Sequence, residues 1–365
     1  MIKIKICVYA ICKNEEKFVK RWYDSIKEAD GIFVLDTGST DNTVQALKKL
    51  GVVVKKKKIV PWRFDVARNL SLKMIPEDYD VCVCLDLDEV MTPGWYQEIE
   101  NIWQKNKTTR LRYTYNWSLD NNNNPIISFY SEKIHARNGF KWVNPVHEIL
   151  KYEGEEDCLV TDNLVVNHYP DTNKSRGSYL PLLELSVKED PNNDRNMHYL
   201  GREYMYYQEW NKAIDTLERH LSMKTATWKD ERCASMRFIA RSYYNLKRYE
   251  EALMWADKSI KESPYLRDGY MEKAIITYAQ NNFKETEKLC KQALKIKNPP
   301  KTYINEAFTT NLNIYDILSI ACYNNKKYKE ALKYVNKALM LDNTNERLIN
   351  NQKLMAQAKI KSANN

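Results

Sequence analysis

The residues best suited to chemistry in this chain are Asp86, Asp88 and Glu89, which close an apolar run, Val81 to Leu85, in the order Asp86-Leu87-Asp88-Glu89. The run is rich in β-branched residues and cysteine, so the acids fall at the carboxyl end of a strand. In an open α/β sheet that edge is where ligands bind, because the strand is buried while the loop after it reaches solvent. Hard carboxylate oxygens there suit Mg²⁺ or Mn²⁺, which can hold the phosphates of a nucleotide. A bare Asp-x-Asp arises often by chance, and its position after a strand is what gives it weight. Two more polar groups follow apolar runs in the same way: Cys12-Lys13-Asn14-Glu15, and Asp36-Thr37-Gly38-Ser39-Thr40-Asp41.

The elements that must position these groups alternate. Ile4 to Ile11 reads as a strand and Glu16 to Glu28 carries apolar residues at helical spacing. Gly31 to Leu35 is a second strand, and Asp41 to Leu50 a helix whose N-cap falls to Ser39-Thr40. Val52 to Val54 and Val81 to Leu85 add strands, with a helix from Asp65 to Met74 between them. This βαβα order calls for an α/β fold, a mostly parallel sheet with helices on both faces. Past Lys107, Arg110 to Trp117 and Ile126 to Ala136 flank Asp120-Asn121-Asn122-Asn123-Asn124-Pro125, a hairpin signal that adds antiparallel strands.

From about Asp190 the grammar becomes helical and repeats itself. Small residues recur at spacings that let paired helices approach closely. Gly201, Ala213 and Leu217 form one set, and Ala240, Ala252, Ala256 and Ser259 the next, with Pro264 at the stop. Ala274, Thr286, Cys290 and Ala293 give a third, and Ser319, Ala331, Val335 and Ala338 a fourth. Tyr179 to Pro191 reads as the closing helix of a degenerate leading repeat. Two domains are therefore expected, 1–175 and 176–365, the second an all-α tetratricopeptide-like solenoid.

Composition narrows the partners. The 57 basic and 48 acidic residues leave a net charge of +9, but they are interspersed. That is a mildly basic surface, and nucleic acid is not an expected partner. Lys55 to Lys58 reads as a strand end entering solvent. The eight cysteines show no Cys-x-x-Cys pair, which favours a reducing compartment and a cytoplasmic location. Ile6 to Ile11 lacks a cleavage site and reads as strand, no uncharged apolar stretch approaches roughly 18 residues, and only Lys359 to Asn365 is expected to be disordered.

With these motifs in order, the chain resembles family 2 glycosyltransferases of the GT-A fold over roughly residues 4–170. In that family the first strand ends in Asn-Glu, here Asn14-Glu15, the second in Asp-x-Gly-Ser-x-Asp-x-Thr, here Asp36 to Thr43, and a later one in Asp-x-Asp. Trp62 to Asn69, Val146-His147-Glu148 and Asn167-His168-Tyr169 resemble the sub-branch of bacterial core-sugar transferases and bacteriocin S-glycosyltransferases, the latter also followed by tetratricopeptide-like helices. Leu87 departs from the small residue usual between the two acids, and Asn144-Pro145 stands where a Gly is common.

The resemblance implies a metal-dependent, inverting transfer of a hexose, glucose or GlcNAc, from a UDP-sugar to a peptide or protein acceptor. Asp36 would accept the uracil imide N–H while the main chain near Ile11 and Cys12 frames the base. Asn14, Glu15, Arg68, Asp86 and Leu87 would join the nucleotide-sugar site, with a surface salt bridge as the alternative for Arg68. Asp88 would ligate Mn²⁺ or Mg²⁺, with His168 completing coordination unless it is a structural histidine. Glu148 is the candidate base, or else an anchor of the acceptor loop, since an inverting transfer needs a carboxylate opposite the leaving group. Trp142 and His147 would meet the sugar or acceptor, although Trp142 fits a core position equally. The repeats would hold an extended acceptor segment, and a homo-oligomer is compatible with the sequence. Competing readings send the sugar to a lipid-linked glycan or lipopolysaccharide core, or leave an inactive repeat scaffold.

Overall fold

The computed structural model describes residues 3–120, 122–172 and 177–363. Its N-terminal part runs β1 (Ile6–Cys12), α1 (Glu16–Ile26), β2 (Gly31–Asp36), α2 (Thr43–Lys49), β3 (Val53–Lys56), α3 (Phe64–Leu72) and β4 (Val81–Cys84). It continues with β5 (Glu89–Met91), α4 (Trp95–Ile102), β6 (Arg110–Leu119), β7 (Pro125–Ala136), β8 (Phe140–Val143), β9 (Ile149–Tyr152) and β10 (Cys158–His168). Eight strands form one mixed sheet in the order β3-β2-β1-β4-β7-β6-β10-β5, and β8-β9 make a separate hairpin.

The expected parallel core is present: β1 pairs in parallel with both β2 and β4, and β2 with β3. Every residue of β1 is buried, as a central strand covered on both faces requires. The helix α1 turns Phe18, Val19, Trp22 and Ile26 inward, one stripe at helical spacing. Trp22 also donates its indole N–H to the Leu85 carbonyl at 3.1 Å, fixing the chain just before Asp86. The antiparallel extension is β7, which joins β4 to β6, its tight connection held by Asp120 Oδ1 accepting the N–H groups of Asn122 and Asn124.

Two expectations need correction, and three short strands go unanticipated. The helix expected from Asp41 begins at Thr43, and no Ser39 or Thr40 side chain caps it; Asp41 Oδ1 instead accepts the Thr43 N–H at 3.0 Å. Short β5 and the β8-β9 hairpin have no signal of their own in the sequence, because runs of three or four residues are too brief for a period to show. The tail is helical through Ala363 rather than disordered over its described residues.

The remaining helices are α5 (Tyr179–Glu189), α6 (Asp194–Tyr206), α7 (Trp210–Ser222), α8 (Lys229–Asn245), α9 (Tyr249–Glu262), α10 (Arg267–Ala279), α11 (Phe283–Lys295), α12 (Asn311–Asn324), α13 (Tyr328–Leu339) and α14 (Glu346–Ala363). Each of the four small-residue sets maps onto one consecutive pair, from α6/α7 to α12/α13, and all fifteen positions are buried. By compactness the chain divides into residues 1–186 with 301–303, and 187–300 with 304–365. The expected boundary between 175 and 176 lies outside the described residues. Most of α5 belongs with the first unit, where Tyr179 packs near Phe64, so it is not a leading repeat helix. Among the described residues no helix is long and apolar enough to cross a membrane.

Candidate active site

Each polar group named from the sequence stands at the carboxyl end of a strand, and the parallel register brings two of them side by side, since Cys12 is the partner of Asp36. Asp36 is buried, and its carboxylate accepts the N–H groups of Gly38 (3.3 Å) and Ser39 (3.1 Å) and faces Cys12 Sγ at 3.7 Å. Gly38, at φ +121°, supplies the backbone that folds the loop over this carboxylate. Asn14 ties the two loops together: its N–H donates to Ser39 Oγ and its Oδ1 accepts the Thr40 N–H at 2.7 Å. Glu15 is buried, its N–H donating to Thr43 Oγ1. Ile11 packs its side chain among Leu35 and Ala67, so only its main chain can reach a base.

The acid cluster after β4 is built by charge pairing. Arg68, on α3 and almost fully buried, forks onto both Asp86 oxygens at 2.5 and 2.8 Å and gives its Nε–H to Glu148 Oε1 at 2.9 Å. Burial opposes the guanidinium charge, but Asp86, Cys84 and Glu148 outweigh it and hold Arg68 protonated. Burial likewise pushes the Asp86 carboxyl up, and Arg68 and Lys133 bring it well below the usual carboxylate range. Lys133, on β7, sits 2.6 Å from Glu89 Oε1 and 3.5 Å from Asp86 Oδ2. Glu89 also accepts the Tyr115 hydroxyl at 2.8 Å and the Asp86 N–H at 2.9 Å. Nothing in the sequence near Lys133 marks it; only the antiparallel β4-β7 pairing brings it here.

Asp88 faces a different partner. The β5-β10 register pairs Glu89 with His168, and the Tyr169 N–H donates to the Asp88 carbonyl at 2.8 Å. This places His168 Nε2 at 3.6 Å from Asp88 Oδ2. His168 Nδ1 meets the Trp117 carbonyl at 3.0 Å, and its ring stacks on Trp117 at 4.6 Å between centroids. Burial lowers the His168 pKa, but the Asp88 carboxylate raises it further, so the net shift is upward. A ring fixed at one nitrogen by a carbonyl presents the other in a set direction, the arrangement of metal-ligating imidazoles. Asp88 and His168 therefore fit an ion held by oxygen and imidazole donors.

Two predicted contacts are corrected. Leu87 is fully buried in the main core, so its side chain cannot touch a nucleotide; the turn alternates, sending the acids out and Leu87 in. Trp142 is 3% exposed and gives its indole N–H to the Tyr9 hydroxyl at 2.9 Å, which in turn meets His135 Nε2 at 2.8 Å. A side chain committed to that buried chain cannot stack on a sugar. The Arg68 alternative also falls, because the residue is buried and no surface pair.

The segments Trp62 to Asn69 and Val146 to Glu148 meet across space. Phe64 N–H donates to the Pro145 carbonyl, Asn69 makes reciprocal bonds with the Trp142 main chain at 2.8 and 3.0 Å, and Arg68 reaches Glu148. His147, half-buried at φ +50°, lies 5.7 Å from the Tyr179 ring.

Two family models agree with this architecture. Residues 7–149 match the model of glycosyl transferase family 2, and residues 232–261 that of the tetratricopeptide repeat. The N-terminal sheet is thus a family 2 glycosyl transferase domain, and the helical part carries tetratricopeptide repeats. An uncharacterised glycosyltransferase of Rickettsia typhi is 22% identical over 312 residues, spanning 82% of this chain and 92% of its own. One from Rickettsia bellii is 34% identical over 113 residues, 30% of this chain and 36% of that one. Among solved structures, MamA gives a TM-score of 0.36 at 18% identity, covering 45% of this chain and 83% of its own. A thermophilic tetratricopeptide-repeat protein of Thermus thermophilus gives 0.37 at 18%, covering 50% and 90%.

Proposed function

We propose that the chain transfers a hexose from a UDP-sugar to a peptide or protein acceptor, with inversion at the anomeric carbon and dependence on a divalent cation. The observation that carries this reading is the Asp88–His168 pair, brought together at the sheet edge by β5-β10 pairing while Arg68 and Lys133 occupy Asp86. Asp88, not Asp86, is then the carboxylate left to hold Mn²⁺ or Mg²⁺. The bound cation would supply Lewis-acid neutralisation of the leaving diphosphate.

The chain's own residues do the rest. The Asn14 and Asp36 loops form the floor for the uridine, with Asp36 the acceptor for its imide N–H. Arg68 orients Glu148 through one oxygen, and Glu148 takes the acceptor's proton as its oxygen or sulfur bonds to the anomeric carbon and UDP departs. A thiol acceptor, ionising more readily, leans less on Glu148 than a Ser or Thr hydroxyl. The repeats offer the acceptor a surface of stacked helices.

The test is UDP release across a panel of UDP-sugars with Mn²⁺ or Mg²⁺, comparing the parent with Asp88→Ala. Metal-dependent turnover of one donor that falls at least about 100-fold in Asp88→Ala supports the reading. Turnover that survives chelation and the substitution sinks the metal role.

A further inference from the structure

We propose that Asp194, His220 and Glu231 form a divalent-cation site of the zinc class in the helical unit, separate from the acids at the sheet edge. One imidazole nitrogen and two carboxylates from the start of α6, the end of α7 and the first turn of α8 converge there, with their ligand atoms all within 4.8 Å of one another. His220 is fully buried, and its Nε2 has no hydrogen-bond partner although it points at the cluster. A buried imidazole nitrogen without a partner is costly, and a metal ion is one way to satisfy it.

The geometry favours an ion over a direct bond. His220 Nε2 lies 3.4 Å from Glu231 Oε1 without making a hydrogen bond. Two ligands at about 2.0–2.1 Å from one tetrahedral Zn²⁺ stand about 3.4 Å apart, so the spacing is that of neighbours in a coordination shell. The other nitrogen, Nδ1, is 2.9 Å from Ser235 Oγ, and Ser235 Oγ is 2.7 Å from His198 Nδ1. Ser235 carries one hydroxyl proton and can donate to only one ring. When it donates to His198, it accepts the Nδ1–H of His220 and leaves the lone pair of Nε2 directed at the cluster, the second-shell support that ligating histidines carry. Asp194 is half-buried, which gives an ion a way in and leaves a fourth position for water.

A second cluster in the helical unit offers no such site. Glu287, Cys322 and Glu330 also converge, but Lys291 and Lys327 both reach Glu287 Oε1 at 2.7 Å and Lys291 reaches Glu330. There the protein supplies its own cations. At Asp194–His220–Glu231 an ion would tie three successive helices, the first repeat pair to the second.

The experiment uses the full chain carrying Asp88→Ala, so that the sheet-edge pair cannot contribute. After chelation, Zn²⁺ and, as a spectroscopic stand-in, Co²⁺ are titrated while bound metal, the visible Co²⁺ spectrum and thermal midpoint are followed. One equivalent is expected, with a four-coordinate Co²⁺ spectrum, a raised midpoint, and affinity at least about 100-fold weaker in added Asp194→Asn or His220→Gln. No bound ion, or unchanged affinity in Asp194→Asn, overturns the site. Because Asp194 is partly exposed at a helix start, that variant keeps the test decisive even where His220→Gln fails to fold.

Discussion

Arg68 carries three carboxylate or thiol partners on one buried guanidinium, and its removal would strand Glu148 without a counter-charge and leave Asp86 only the more distant Lys133. Breaking a buried pair by deleting one member typically costs about 3–5 kcal/mol, since the remaining charge stays desolvated. Arg68→Ala is therefore expected to lose that much in urea unfolding. Arg68→Lys keeps the charge but cannot fork onto Asp86, so it should retain more stability while turnover still falls. Parent-like stability in both variants would show that the acids do not need the clamp. Trp142 makes the complementary case. Trp142→Phe should cost about 1 kcal/mol for the lost bond to Tyr9, with the KM for donor unchanged. A raised KM at unchanged stability would return Trp142 to the sugar pocket.

At the scale of elements, legibility followed distance along the chain. The acids at Asp36, Asp86 and Asp88 could be placed because a strand's end is written in adjacent residues. The repeat could be found because Ala213, Ala252 and Ala331 recur at fixed spacing on adjacent helices. What could not be read depends on pairing between distant strands. Lys133 lies 44 positions from its Glu89 partner, and the Asp88–His168 pair exists because β10 returns antiparallel to a three-residue strand. Trp142 is ambiguous and Leu87 misplaced for the same reason, since which face of a short element is covered is decided by what packs on it. The helix pair α6/α7 tests the repeat reading directly. A Cβ at Gly201 would stand 2.5 Å from Leu217 Cγ, so the small residue is what lets the helices touch. In an open helix Gly→Ala gains up to about 1 kcal/mol, but here overpacking of about 1–3 kcal/mol opposes it. Gly201→Ala should lower the unfolding midpoint; a rise would mean the helices have room to spare.

Across the whole molecule, acid should act on groups in both units, and His135 and Glu287 separate its windows; buried His198 of the helical unit shares the window of His135. His135, fully buried in the sheet unit, meets Tyr9 at Nε2 and the Ala136 carbonyl at Nδ1, and burial pushes its pKa down to about 3. An unfolded histidine titrates near 6.5, so below that pH the unfolded chain takes a proton that the folded chain refuses. Stability is thus full above about pH 6.5 and falls as pH drops toward about 3, by about 2 kcal/mol at pH 5 for this group. Glu287 of the helical unit is pushed up by burial but brought down to about 2 by Lys291, Lys327 and Asn325. Its contribution is present above the unfolded value of 4.5 and is lost only as pH falls through about 2. The two windows therefore open in sequence on acidification, His135 first. Urea unfolding of the parent, His135→Gln and Glu287→Gln between pH 7 and pH 3 separates them. The loss between pH 6.5 and 5 should shrink in His135→Gln and persist in Glu287→Gln, while the stability gap between parent and Glu287→Gln should narrow only below about pH 4.5. A parent whose stability is flat from pH 7 to pH 5 would mean that His135 accepts its proton in the folded state, and the Trp142–Tyr9–His135 chain would have to be redrawn.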